Sequence, residues 1–323
     1  MKRSYAGYFY IVLCAVIFST VEAVLKTVTG VFAPMQITVV RFLVGGVLLI
    51  PFALRSLRQH GAHITRADVP YFLLTGFLCV ALGMVLYQMA IVHTRASVVA
   101  VIFSSNSIFT TVLASLLLGE KLRRNHIAAL ALVLLAILII VDPLHAHLST
   151  AGVVLSIVAA VAFAFYSVVG KKRSARFGGI TVTCMSFLFG SAQLLLLLLL
   201  GRIPAVGRFF ASVGLGIFAD VPIFRGIPAS ALPALAYICA ISTAGGYVCH
   251  MLALEKTSAR EAALIFFLKP IIAPIFALIL LHEEIPLNMI LGILCFLIGS
   301  GLSVVPGILE ERRAEKDART KKE

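Results

Sequence analysis

Apolar positions along this chain come in long unbroken runs rather than in alternation. Runs at about 7–27, 34–54, 69–91, 96–118, 125–142, 151–171, 181–201, 231–252, 260–281 and 287–306 are apolar on nearly every face, with short polar stretches between them. A hydrocarbon core about 30 Å thick takes roughly 20 helical residues to cross, so each of the ten runs predicts one transmembrane helix. The absence of a two-residue period argues against a membrane β-barrel. Pro34, Pro143, Pro204, Pro286 and Pro306 stand at run ends, where proline is tolerated, and mark the expected helix boundaries. Two segments fall outside this plan. The stretch 201–230 is partly apolar (FFASVGLGIF) and reads equally as a segment lying along the membrane surface or as an irregular connector. The densely charged tail, 308–323, reads as a solvated, frayed helix.

The runs are not independent. Gly246 to Ile285 repeats Gly83 to Leu122 at a distance of 163 residues without a gap, with identities that include Gly83/Gly246, Thr94/Thr257, Ala96/Ala259, Phe103/Phe266 and Glu120/Glu283. Each copy is a pair of apolar runs joined by a turn built on Thr-x-Ala. At a distance of 145 residues, Phe18/Phe163, Lys26/Lys171, Thr38/Thr183, Phe42/Phe187 and Gly45/Gly190 also coincide. The repeat therefore spans five helices, giving units at 7–142 and 150–307. An odd number of crossings turns the second unit upside down, so the fold class is all-α: a polytopic membrane protein with ten helices in two inverted five-helix repeats.

Composition agrees. Of 323 residues, 61% are hydrophobic and only 13% charged, about half the charged share of a soluble domain. The net charge of +13 is not a nucleic-acid footprint, because the Lys and Arg cluster in the connectors and the tail. Alternate connectors hold 20 of them on one side and 4 on the other, with Lys26, Arg41 and Lys269 left inside helices. That bias places both termini in the cytoplasm and the chain in the cell (inner or plasma) membrane. The first run follows Lys2 and Arg3 and continues to Glu22 and Lys26 without a small-residue cleavage site, so it reads as a retained helix. All six cysteines lie inside apolar runs with no CxxC spacing, which reads as buried free thiols.

Thr94-Arg95-Ala96 through Leu118-Gly119-Glu120-Lys121-Leu122, and Thr257-Ser258-Ala259 through Leu268-Lys269-Pro270 to Leu281-His282-Glu283-Glu284, resemble the EamA family of the drug/metabolite transporter superfamily. The resemblance covers about residues 7–307. It implies a carrier that exports or exchanges small metabolites through a central cavity between the halves. One departure is that Asn106-Ser107 in the first half faces Lys269-Pro270 in the second, which suggests two unlike cavity walls.

An ionisable group at membrane depth costs about 2.5–3.5 kcal/mol on insertion scales and ordinarily faces a cavity or a partner. Glu22 is the one acid deep inside a run, with Lys26 a turn further out; Arg41 lies two turns into the second run and Lys269 at the middle of the ninth. The functional reading makes Glu22 a proton carrier or cation partner and turns Arg41 and Lys269 toward anionic groups. The structural reading pairs Glu22 with Lys26, Arg41 or Lys269. Asn106 in the Ser104–Ser107 cluster is the best cavity candidate of the fourth run, although some of those four side chains must bond to backbone. Tyr87, Gln88, Tyr166, Tyr247 and His250 are further candidates, His250 reading better as interfacial. The expected substrate-binding set is Glu22, Arg41, Tyr87, Asn106, Tyr166, Tyr247 and Lys269. Pro270 removes a helical hydrogen bond beside Lys269, as a site or a packing kink. Glu120, Glu283 and Glu284 read as hairpin anchors. Gly292, Gly299 and Gly301 permit close helix packing, within the chain or in a homodimer.

Enzyme motifs are missing. His282-Glu283-Glu284 has Pro286 where a zinc motif needs its second histidine, His145 and His147 lack a third ligand, and no phosphate-binding lysine loop is present. No catalytic residue, cofactor or metal is expected, and the partners are a small-molecule substrate and the lipid bilayer, without nucleic acid. The leading reading is a secondary carrier for small polar metabolites, amino-acid-like or otherwise zwitterionic or anionic, working by alternating access with proton coupling through Glu22 as an addition. An intramembrane enzyme on a lipid-linked substrate and a passive channel are the alternatives.

Overall fold

The structure is a computed structural model, and it describes residues 5–119, 124–142, 148–223, 226–257 and 259–320. Among the described residues ten helices are long and apolar enough to cross a membrane: α1 Tyr5–Thr27, α2 Pro34–Gln59, α3 Arg66–His93, α4 Ala96–Leu118, α5 Arg124–Val141, α6 Thr150–Phe177, α7 Gly179–Leu200, α8 Ala229–Leu254, α9 Leu264–Leu281 and α10 Leu287–Leu309. Among the described residues there is no strand, only an isolated bridge between Thr29 and Phe32. The chain is an all-helical, multi-pass membrane protein, as its apolar runs predict. His145, His147, Glu120, Lys121, Leu122, Arg225 and Ser258 lie outside the described residues.

The helix pairings follow one rule. α1 packs on α8 and α9, while α6 packs on α3 and α4; α2 packs on α8, while α7 packs on α3; α2–α7, α4–α9 and α5–α10 pair with each other. These principal pairings are unchanged when the first five helices are exchanged for the last five. Glycines show why the sequence allows it. A methyl added to Gly45 would meet Thr243 Cγ2 at 2.7 Å, and one added to Gly190 would meet Val80 Cβ at 2.7 Å. A methyl on Gly246 would meet the Phe18 ring, and one on Gly83 lies near Ala162 and Phe163. Gly7 closes on Thr257 and Gly152 on Thr94. In each case the second contact is the first with both partners moved to the other copy. Small residues let helix backbones approach where lipid gives no hydrophobic drive to associate.

Several elements depart from the sequence expectation. Pro306 does not end a helix, because α10 continues as one helix from Leu287 to Thr320. Pro306 leaves the Leu302 carbonyl, one turn back, without its helical donor. The stretch 201–230 is neither surface helix nor irregular connector alone. A helix at Pro204–Ser212 and a 3-10 turn at Gly216–Phe218 bury Phe210, Phe218, Val221 and Ile223 in the main core. It caps the bundle at the end opposite the chain termini. Gly292 and Gly299 of α10 are used within the chain, against Ile140 and Ala136, and Leu132 and Ala129, of α5. α3 and α8, the third helix of each half, both widen into a π-helical stretch, at Phe77–Met84 and Tyr237–Gly245. All six cysteines are free.

Candidate functional site

A cavity of about 690 Å³ lies between the halves. Its floor is built by α1, α3, α4 and α9, and its mouth by His60 of α2, Lys171 and Ser174 of α6, Gly179 of α7, Leu254 of α8 and Ala262 just before α9. Those mouth residues share the end of the bundle that carries both chain termini.

Two aromatic walls enclose it. On one side the rings of Tyr87, Phe103, Phe163 and Tyr166 follow one another at centroid distances of 4.6, 5.4 and 5.3 Å. On the other, Tyr247 and Phe18 line the cavity 5.3 Å apart, backed by the buried rings of Phe187, 5.0 Å from Tyr247, and Phe42, 4.8 Å from Phe187. The π-helical stretches place Met84 and Tyr87 on the first wall and Ser242, Thr243 and Tyr247 on the second. An extra residue per turn widens the helix locally, a feature that recurs at functional sites. The Thr243 hydroxyl donates to the Ile238 carbonyl five residues back at 2.7 Å.

The deep charges divide into two classes. Lys269 Nζ lies 2.6 Å from Glu22 Oε1, with both side chains at most 4% exposed, and 5.3 Å from the Phe103 ring centre. Of the three pairings open to Glu22 from sequence, the structure selects this one. Arg41 stands apart. It is 7% exposed, lies 4.4 Å from the Phe42 ring and 6.0 Å from the Tyr87 ring, and donates from one terminal nitrogen to Met84 Sδ at 3.7 Å. Its Nε has no hydrogen-bond acceptor, and no ion pair to it is found among the described residues. Arg41, Tyr87, Asn106, Tyr166, Tyr247 and Lys269 all line the cavity, while Glu22 sits behind Lys269 rather than on the wall.

Polar residues on α4 serve the helix first. The hydroxyls of Ser104, Ser105 and Ser107 donate to the carbonyls of Ala100, Ile102 and Ser104, and the Asn106 amide donates to Phe103 at 2.6 Å. Such back-bonding bends helices, and α4 is interrupted at Ser105. Pro270 and Pro274 both lie buried within α9 and free carbonyls beside Lys269. His250 lines the cavity edge-on to Phe266, with centroids 5.9 Å apart. Gln88 is buried away from the wall. Phe18, Phe103 and Phe163, absent from the candidate set, form much of the wall. A signal for them exists in the sequence, because Phe18/Phe163 and Phe103/Phe266 are repeat identities.

The opposite end is closed. Lys26 Nζ donates to the carbonyls of Ile91 at 2.6 Å and Thr94 at 2.9 Å, at the C-terminus of α3. Glu283 accepts from the backbone amides of Ala96 at 2.8 Å and Ser97 at 3.1 Å and from the Ser97 hydroxyl at 2.6 Å, at the N-terminus of α4. The Thr94–Ala96 turn is thus held by a cation on its free carbonyls and an anion on its free amides, each matching the local helix dipole. Thr20 and Tyr237 hydroxyls, 2.7 Å apart, join α1 to α8 between this clamp and the cavity.

Among the described residues no three His, Cys, Asp or Glu side chains group as a metal site. A model of the EamA-like transporter family matches residues 5–142 and 150–305, five helices in each match. An uncharacterized transporter of Clostridium kluyveri is 33% identical over 302 residues, covering 91% of each chain. A probable terminal-alkyne amino-acid exporter of Streptantibioticus cattleyicolor is 28% identical over 67% of each chain, and a pseudopaline exporter of Pseudomonas aeruginosa is 28% identical over 53% of this chain and 58% of its own. A solved crystal structure superimposes with a TM-score of 0.64 over 97% of this chain at 16% identity, a likeness of fold alone.

Proposed function

The chain belongs to the EamA-like transporter family, and from that premise we propose that it exports small polar metabolites, amino-acid-like or otherwise zwitterionic or anionic, by alternating access. The observation that carries this is a cavity walled by both copies, holding buried charge, open at the terminus-bearing end and clamped shut at the other. The exchange-invariant helix pairings support two five-helix units, 5–142 and 150–305, in opposite orientation, a design in which rocking of one unit against the other swaps the open end. Phe42 and Phe187, equivalent by sequence, touch at 4.8 Å, as equivalent side chains do only near a two-fold axis. The 20-to-4 bias of Lys and Arg puts the open mouth and both termini in the cytoplasm of the cell membrane, an inward-facing state ready to load cargo for export. The names of two relatives as exporters point the same way.

Glu22 supplies the candidate proton site. Protonating it would release Lys269 from its pair, so proton coupling predicts that Glu22→Gln flattens the pH dependence of transport while leaving exchange measurable. An unchanged pH profile removes the coupling. The carrier reading is tested by counterflow in proteoliposomes across amino acids, organic acids, nucleotides and amines. Saturable uptake stimulated by internal solute is expected for a carboxylate-bearing class, whereas flux that rises without saturation would show a channel.

A further inference from the structure

We infer that Arg41 is the docking point for a carboxylate, and that the cavity selects solutes with one free carboxylate on a largely apolar body. This rests on the carrier reading and names its substrate class. Glu22 and Lys269 cancel each other at 2.6 Å, so the pair leaves the deep cavity without net charge. Among the described residues Arg41 then remains as the deep cation without an ion pair of its own. A guanidinium taken from water without an anion is costly, and it is tolerated where an occupant supplies the missing acceptors. Its planar fork fits a carboxylate bidentately. The Phe42 and Tyr87 rings lie 4.4 and 6.0 Å from it, and the aromatic side chains that line the cavity beyond offer apolar faces rather than further charge.

Matched pairs of acid and amide isolate this contact: leucine against leucinamide, and hexanoate against hexanamide, followed by thermal stabilisation of the purified full chain in detergent. The acids are expected to stabilise the protein at concentrations about 10–100-fold lower than their amides, the range for a hydrogen-bonded charge. Arg41→Met is expected to erase that preference while leaving the substrate-free chain as stable as before or more so, since it removes a buried cation without a counter-charge. Arg41→Lys keeps the preference in weaker form. Equal stabilisation by acid and amide, none by either, or a preference that survives in Arg41→Met overturns the inference. So does a substrate-free Arg41→Met chain that unfolds, because a structural arginine would behave that way. Counterflow separates the two levels: saturable exchange without acid preference removes only this inference, and no saturable exchange of any class removes the carrier.

Discussion

Exchanging Lys269 for methionine is expected to destabilise the folded chain by about 3–5 kcal/mol, the cost of stranding a buried carboxylate. Glu22 is 1% exposed and reaches Lys269 Nζ at 2.6 Å, and its second oxygen, Oε2, has no hydrogen-bond partner. Removing both charges in Glu22→Gln/Lys269→Met is expected to recover most of that loss, because burying a neutral amide and a thioether costs far less than burying an unpaired ion. Thermal unfolding of the four detergent-purified chains measures the cycle. Losses that simply add would mean the two side chains do not act as a pair. The cycle also separates stability from transport, since a folded double variant that no longer responds to pH keeps the coupling role with the pair.

The second large effect is steric. α3 and α7 cross with Gly76 against Gly190, and a methyl on Gly190 would strike the Gly76 carbonyl and Val80 Cβ. A carbonyl fixed in a helix cannot rotate aside, so Gly190→Val is expected to cost about 3 kcal/mol or more, the upper range for overpacking, and to lower the yield of folded protein. Gly301→Ala is the control. Its nearest neighbour is Phe267 at 3.8 Å, an ordinary contact, so stability is expected to hold. The same logic applies across the repeat: Gly45→Val meets the Thr243 side chain rather than a carbonyl, and a side chain can shift. The loss there is expected to be smaller. Equal losses at Gly45 and Gly190 would show that crossing distance, not the identity of the facing atom, sets the penalty.

The helices were legible because the bilayer imposes a length and removes water, which leaves few readings for ten long apolar runs. Deep charges were legible for the same reason: Glu22, Arg41 and Lys269 each need a physical excuse to be where they are. Which charge pairs with which was not, because that depends on how α1 meets α9 in space. The aromatic walls were hidden by chemistry, since a phenylalanine facing lipid and one facing a cavity cost about the same. Only repeat identity separated Phe18, Phe103 and Phe163 from the other phenylalanines. Lys26 was one of three partners open to Glu22 from sequence, yet its long stem carries the ammonium to the end of α3. The buried packing of 201–223 depends on contacts with the bundle that no local pattern records.

The claim on which the account depends is a single cavity that opens at one end at a time. A lone cysteine at Ser107, on the cavity wall of α4, in an otherwise cysteine-free chain tests it most directly in sealed vesicles of each orientation. Without substrate, an impermeant thiol reagent is predicted to reach it from the terminus-bearing face and not from the other. Equal labelling from both faces, or labelling from the opposite face alone, would contradict the account.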